Sequence, residues 1–405
     1  MQELIVLKLN GVVILQKNTD KSPVEKECRN REVVSNIRSI LEKRGLTQKD
    51  FSLLLGKKEA EISRWFSGRC NISPRSQALI EEALGEPVSS DSTYRGKSAP
   101  VRIGIVGTGN IAGRFVRESL SVPGVEVAAA YNPDVVKCQS FCEKNGIPRA
   151  ASGYAELLSA VDAVYVASPV DTHFQYAMEA VENGRHVLCE MPFTTKRTEA
   201  EELLKAAARR NLVVLPALKT AYCPSFSQMM VVAKSGIIGE AVDVSATVTN
   251  LLPDAVPVDF ANERMLENLS YPLLAFFKIF GTGCRHVSSV VRREGSKALF
   301  THSILEFDRA SGSLKVGVGV KSEGSLVISG TRGYIYVPAP WWKPDYFEVR
   351  FENPAENKKY FFPYEADGLR YEIRVLSDKI NRRDPREYVT REELLKMMDI
   401  QNKII

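Results

Sequence analysis

Residues 101–112 read VRIGIVGTGNIA. An apolar, β-favouring run feeds Gly107-Thr108-Gly109-Asn110-Ile111-Ala112, and the pattern that follows predicts a helix from Gly113 to Leu120. A strand that enters a glycine turn and leaves as a helix makes a phosphate cradle. Gly107 permits the tight turn, Gly109 lets backbone approach a diphosphate, and small Ala112 lets helix pack on strand. The amides around Asn110 and Ile111 then face the anion at the helix N-terminus. The spacing is G-x-G-x-x-A at the head of an α/β alternation, and that placement favours a dinucleotide site over a merely structural turn.

The alternation continues. Strands are predicted at 125–131, 161–168, 186–190 and 212–217, with helices at 135–145, 172–183 and 196–210 between them. Such a chain builds a parallel sheet covered by helices on both faces, a Rossmann domain assigned to 101–220. Asn132 ends the second strand, where a carboxylate usually takes the ribose diol. A neutral amide neither repels a 2′-phosphate nor grips a diol strongly, so the expected cofactor is NAD or NADP.

Length and composition bound the rest. A chain of 405 residues holds two or three domains, and 44% apolar with 25% charged residues is ordinary for globular protein. The net charge of +5 is uneven: residues 1–99 carry 17 Lys/Arg against 13 Asp/Glu, and the remaining residues are nearly balanced. No apolar run reaches the length of a membrane helix, and Leu4 to Leu15 lacks the flanks of a signal peptide, so no membrane association is expected. Seven scattered cysteines without CxxC spacing suggest reduced thiols and a cytoplasmic protein. Cys138 and Cys142 share a helix face, but without histidine nearby they read as packing, and no metal site is expected.

At the front, LIVLKLNGVVILQK (4–17) sets Asn10-Gly11 between two apolar runs, the chemistry of a hairpin, so 1–30 reads as hairpin or arm. Several short helices follow over 31–86, a small all-α domain. The segment LTQKDFSLLLGKKEAEISRWFSGRCNIS (46–73) resembles the Cro/C1 (XRE) helix-turn-helix family. Thr47 caps its first helix, Phe51, Leu54 and Leu55 give that helix an apolar face, Gly56 allows the turn, and Ile62 and Trp65 anchor the next helix. The resemblance implies double-stranded DNA as a partner, with Lys58, Glu59, Ala60 and Arg64 towards base edges and Gln48 and Arg69 on phosphates. The alternative is a helical domain that only dimerises. EPVSSDSTYRGKSAP (86–100) is polar and rich in Ser, Pro and Gly, and 87–100 reads as a linker.

From Tyr154-Ala155-Glu156-Leu157-Leu158 through VDAVYVASPVDTHFQYAMEAVENGRHVLCEMPFT (161–194) the chain resembles the Gfo/Idh/MocA oxidoreductases. The resemblance extends loosely through 221–405, implying an α+β domain with an open, mostly antiparallel sheet. It also implies that Ser168, Pro169 and His173 line the cofactor pocket and that Glu190, with Met191 beside it, meets the nicotinamide side. His173 has a plainer reading as a cap and packing residue of its helix.

Two departures bear on chemistry. The family's Glu-Lys-Pro reads Glu190-Met191-Pro192 here, and methionine carries neither proton nor charge. The second motif appears as NERMLENLSYP (262–272), keeping the Glu267 carboxylate and the tyrosine-branch Tyr271-Pro272 but losing the glycines. A phenol with a pKa of about 10 needs a nearby cation to exchange protons at neutral pH. Lys219, at the end of the last Rossmann strand, is the candidate to supply it; the alternative is a solvated loop lysine. With Tyr271 as acid/base, Glu267 as orienter and Lys219 as charge, the resemblance implies an oxidoreductase of a sugar, cyclitol or related polyol. The competing reading is a transcriptional regulator whose altered oxidoreductase domain senses cofactor or sugar. Trp341-Trp342-Lys343 with Tyr346 forms either a sugar-stacking wall or core. A free sheet face and the two-fold habit of helix-turn-helix readers imply a homo-oligomer.

Overall fold

A computed structural model describes residues 4–9, 12–17, 23–43, 46–84, 88, 99–251, 260–381 and 383–405. The chain divides into two compact units, Met1–Gly96 and Lys97–Ile405.

The first unit opens with β1 (Leu4–Leu9) and β2 (Val12–Lys17), paired antiparallel with Leu9 opposite Val12; Asn10-Gly11 lie outside the described residues. Four helices follow, α1 (Pro23–Lys43), α2 (Gln48–Leu54), α3 (Glu59–Phe66) and α4 (Pro74–Leu84). The first is longer than expected and begins within the stretch read as an arm. Thr47 caps α2 reciprocally: its hydroxyl accepts from the Asp50 amide at 3.1 Å while the Asp50 carboxylate accepts from the Thr47 amide at 3.0 Å. Ile37, Phe51, Ile62, Trp65, Ile80 and Leu84 close one core. Val88, assigned from sequence to the linker, is also buried in that core, and its amide donates to Glu81 at 3.0 Å. Most of 87–100 lies outside the described residues.

The second unit begins with the Rossmann alternation: β3 (Val101–Val106), α5 (Asn110–Ser119), β4 (Val125–Tyr131), α6 (Val135–Asn145), α7 (Tyr154–Ala160), β5 (Ala163–Val166), α8 (His173–Glu182), β6 (His186–Glu190), α9 (Arg197–Arg209) and β7 (Val214–Ala217). All five strands are parallel, in the order β4-β3-β5-β6-β7. The chain therefore reverses direction across the sheet between β3 and β5, and a crevice opens outside their carboxyl ends. The α5 helix starts at Asn110, three residues before the expected Gly113, because extended Gly109 serves as its N-cap.

Next come α10 (Lys219–Tyr222), α11 (Pro224–Lys234), β8 (Ala241–Asn250), α12 (Phe260–Phe280), β9 (His286–Glu294), β10 (Lys297–Glu306), β11 (Ser311–Val318), β12 (Leu326–Gly330), β13 (Tyr334–Val337), β14 (Tyr346–Arg350), β15 (Lys358–Phe361), α13 (Leu369–Ile380) and α14 (Arg391–Ile404). Eight strands form a sheet in the order β15-β14-β13-β12-β8-β11-β10-β9, antiparallel except for the β8–β11 pair. The α12 helix covers one face, packing on β8, β10 and β11. Sequence reading misses β9 and β15, whose exposed positions give no clean alternation.

Closure of the Rossmann core comes from the far end of the chain. Leu369, Ile373 and Leu376 of α13 are buried with Ile103, Ile105 and Phe115. The Glu118 carboxylate on α5 accepts from the backbone amides of Asp367 at 2.8 Å and Arg370 at 3.0 Å. The stretch 221–405 is thus not wholly separate from the dinucleotide domain, since its α13 packs into that domain's core. Among the described residues no helix is long and apolar enough to cross a membrane.

Candidate active site and nucleic-acid-reading helix

Parallel strands deliver their following residues to one edge of the sheet. Gly107 follows β3, Asn132 follows β4, Ser168 follows β5, Glu190 ends β6 and Lys219 follows β7. Gly107 sits at φ +96, and a Cβ there would lie 2.5 Å from the Ala167 carbonyl oxygen, so glycine is required where the two strand ends meet. At Gly109 a Cβ would meet no atom within 4 Å, and no side chain caps α5. The first amides of a helix, including those of Asn110, Ile111 and buried Ala112, lack intrahelical acceptors. An open approach to uncapped amides is the arrangement a diphosphate fits.

Asn132 is held in place: its side-chain amide donates to the Thr108 hydroxyl at 2.8 Å and its carbonyl accepts from the Asp134 amide at 2.9 Å. Thr172 donates to the Ser168 hydroxyl at 2.8 Å, beside Pro169. His173 is 2% exposed, with Nδ1 2.9 Å from the Pro192 carbonyl and Nε2 2.8 Å from the Ser168 carbonyl. Burial lowers its pKa, against the pull of those carbonyls. Both ring nitrogens are committed to backbone, so His173 ties the Ser168 loop to the Met191-Pro192 turn. It is buried between those two carbonyls at the first position of α8, whose N-cap is Thr172.

Ionisable groups gather beyond the ends of β6 and β7. The Tyr165 hydroxyl donates to the Glu190 carboxylate, and the Met191 amide donates to its other oxygen at 3.2 Å. Burial pushes the Glu190 carboxyl up to about 7 despite those bonds, with Glu267 adding to the rise and Lys219 opposing it. The Met191 side chain itself is buried. Lys219 stands on α10, partly buried, and burial followed by repulsion from Lys343 lowers its pKa. It feels Glu372, Glu267 and Glu190, so it is not a lysine solvated on a loop.

Tyr271 lies inside α12, 6% exposed, with its ring centroid 6.4 Å from that of Trp342. Burial raises its phenol, and Glu267, Glu190 and Glu372 raise it further. Glu267 is paired with Arg264 at 2.7 Å and so reaches Tyr271 electrostatically, without a hydrogen bond to it. Trp341 is wholly buried and donates to the Thr247 carbonyl at 3.0 Å, a core residue and no sugar wall, which leaves Trp342 as the aromatic beside Tyr271. Tyr165, Glu372 and Lys343 belong to this cluster, and sequence reading gives none of them a role in its charge: Tyr165 lies within the 161–194 stretch and Lys343 beside the two tryptophans. No motif marks Glu372, which stands more than 150 residues beyond Lys219 in the chain.

In the first unit, Lys58, Glu59, Ala60 and Arg64 are exposed on and just before α3, whose other side buries Ile62 and Trp65. Arg69 is exposed, and Gln48 at the start of α2 is partly buried. Lys57 is occupied by Glu61 at 2.9 Å.

The fold and crevice define a Rossmann-type α/β protein with a mixed-sheet companion domain, preceded in the chain by a small helical unit. Comparison with known proteins matches two segments of the chain to family models. Residues 101–218 match the Gfo/Idh/MocA model, described as oxidoreductase family, NAD-binding Rossmann fold, and residues 37–90 match a helix-turn-helix model. The match to the oxidoreductase family model is thus confined to the NAD-binding Rossmann segment, and the helix-turn-helix match to the first unit. Over 131 residues it is 32% identical to scyllo-inositol 2-dehydrogenase (NADP(+)) of Bacillus subtilis, covering 32% of this chain and 40% of that one. Over 218 residues it is 30% identical to dTDP-3,4-didehydro-2,6-dideoxy-alpha-D-glucose 3-reductase of Actinomadura kijaniata, covering 50% of this chain and 65% of that one. The chain thus spans less than two thirds of either relative. Among solved structures, a 3-ketoreductase from Actinomadura kijaniata in complex with NADP and TDP-benzene shares the fold at a TM-score of 0.66 and 23% identity, covering 75% of this chain and 97% of that one.

Proposed function

We propose that the protein is an NAD(P)-dependent oxidoreductase of a sugar, cyclitol or related polyol, carrying a domain that reads double-stranded DNA. The observation that supports it most is the conjunction at one sheet edge of an open, uncapped helix N-terminus at Gly109 with Glu190 and Lys219, and with Tyr271 of α12 near enough to feel the Glu190 charge. The relatives named above act on inositol and on a deoxysugar nucleotide, which supports the substrate class.

A bound nicotinamide supplies hydride acceptance or donation. Residues 107–112 hold its diphosphate, Asn132 meets the adenine ribose, and Ser168, Pro169, Glu190 and Met191 border the nicotinamide end. Tyr271 exchanges a proton with the substrate oxygen. Lys219 provides the cation that a buried phenol requires, because position 191 does not. Glu267 tunes the field, and Trp342 offers a face for the apolar side of a sugar ring. Lys58, Glu59, Ala60 and Arg64 read base edges, with Gln48 and Arg69 on phosphates. The uncovered face of the eight-stranded sheet, where Val290 is 76% exposed and Ile304 46%, supports a homo-oligomer.

One observation favours the second reading, a regulator that senses cofactor or sugar: Met191 occupies the position of the family lysine. The purified protein separates the two when tested for bound nicotinamide, for absorbance change with a polyol and aldose panel, and for DNA binding with and without cofactor. Turnover carries the enzyme reading. Absence of turnover together with cofactor-dependent DNA affinity replaces it with the regulator.

A further inference from the structure

Among the described residues, Glu372 is a buried carboxylate near this crevice that no motif marks and that has no hydrogen-bond partner. It lies in the first turn of α13, is 0% exposed, and neither carboxyl oxygen has a hydrogen bond. A buried ionised carboxylate left bare costs several kcal/mol, so a fold that keeps one holds it neutral or uses it. Its surroundings are polar. The α13 helix packs on α5 and on α10, the element that carries Lys219. The charged groups facing it are Glu118 from α5, Glu190 from β6 and Lys219 from α10, and its charge reaches the phenols of Tyr165, Tyr222, Tyr271 and Tyr364. Burial, then Glu190, raise its pKa well above the ordinary value. Glu118 is occupied by Arg370 and two backbone amides, which leaves Glu190, Glu372 and Lys219 as an internal set of two carboxyls and one amine. Such a set is electrically neutral when it holds two protons, one making Lys219 an ammonium and one resting on a carboxyl. The Tyr165 hydroxyl and the Met191 amide favour the ionised form of Glu190. Above the Glu190 titration at about 7, the carboxyl proton that remains in the set rests on Glu372.

Building on the oxidoreductase reading, we propose that Glu372 is a positioning residue that stores the proton exchanged at Tyr271, acting through Lys219. In the reductive direction the carbonyl carbon receives hydride from the reduced cofactor, and its oxygen takes the Tyr271 proton. The phenolate is reprotonated by the Lys219 ammonium, the resulting amine takes the Glu372 proton, and the carboxylate regains one from solvent after product leaves. Oxidation runs the same transfers backwards, one proton leaving for each hydride. Among the described residues no hydrogen bond links Lys219, Tyr271 and Glu372 side chains, so water or the substrate's own hydroxyls carry the proton between them.

The test uses the full chain and two readouts. Infrared spectroscopy of the cofactor-free wild type at about pH 8.5, above the Glu190 titration at about 7, should show a protonated carboxyl band that is lost in Glu372→Gln and titrates differently in Lys219→Met. Glu372→Gln should lower kcat by about a hundredfold with KM within about twofold and should alter the kcat pH profile, and Glu372→Asp should restore part of the rate. A structural carboxyl would leave the pH profile unmoved in the isosteric amide. Turnover with no protonated band, or with kcat and pH profile unchanged in Glu372→Gln, overturns the role of Glu372 and leaves the oxidoreductase reading standing. A band that behaves as described in a protein that turns over nothing overturns the oxidoreductase reading and the relay with it. Should Glu372→Gln fail to fold, the wild-type band and its response to Lys219→Met still decide.

Discussion

The Tyr165 hydroxyl donates to the Glu190 carboxylate, and the ring that carries it stacks on Phe115 with centroids 3.9 Å apart. Phe115 belongs to α5, the helix whose N-terminus forms the phosphate cradle. Core packing therefore connects the anion-facing end of the site to its proton-handling end. Tyr165→Phe keeps the stack and removes the donor. A hydrogen bond to a charged group is worth about 1.5–3 kcal/mol, so the Glu190 carboxyl should rise by about one to two further pH units. The midpoint of any pH-dependent cofactor affinity, followed by nicotinamide fluorescence, should move up with it.

Glu190 also sets a sign for stability. Its carboxyl titrates at about 7 in the folded chain against an ordinary 4.5. Between those values the unfolded chain has released the proton and the folded chain has not, so stability falls as pH rises through that window and levels off above about 7. Glu190→Gln removes the slope. Relative to the variant, the wild type should lose about 3 kcal/mol between pH 4.5 and 7.5 in urea unfolding, with no further loss above.

The two glycines of the cradle should fail differently. Gly107→Ala combines φ +96 with a Cβ 2.5 Å from the Ala167 carbonyl oxygen, and should cost about 2–4 kcal/mol in thermal unfolding. Gly109→Ala meets no protein atom, so it should fold with an unchanged Tm. Its methyl group stands where the diphosphate approaches, and calorimetry should show loss of both NAD and NADP binding.

His173 joins two loops through backbone carbonyls of Ser168 and Pro192. His173→Ala leaves a buried carbonyl acceptor without its donor and opens a hole between the two loops, and should cost about 1–3 kcal/mol. His173→Ala should weaken nicotinamide binding and substrate binding together, because the Ser168 loop and the Met191 turn lose a common tie.

On the helix-turn-helix domain, Arg64→Ala should cost about 1–3 kcal/mol on a selected operator and relax specificity there. Arg69→Ala should weaken binding evenly on all sequences and reduce the salt slope by about 1. Thr47→Ala, which removes a two-way cap, should lower the stability of this domain by about 1 kcal/mol and so weaken both.

Local chemistry made much of this protein legible in its residues. Glycine freedom at 107, the apolar strand before it and the α/β period set the Rossmann sheet, because a turn at φ +96 and a strand-helix rhythm are dictated by neighbours in sequence. The helix-turn-helix was legible for the same reason, with Thr47, Gly56 and Trp65 at fixed offsets. Tertiary structure alone decided the rest. It placed α13 against α5 and α10, and so brought Glu372 to Lys219 and Glu190 across more than 150 residues; it spent both nitrogens of His173 on backbone; it buried Trp341 and left Trp342 beside Tyr271. Those outcomes depend on desolvation and long-range contact, which arise only when distant segments exclude water from one another, and no spacing along the chain encodes them.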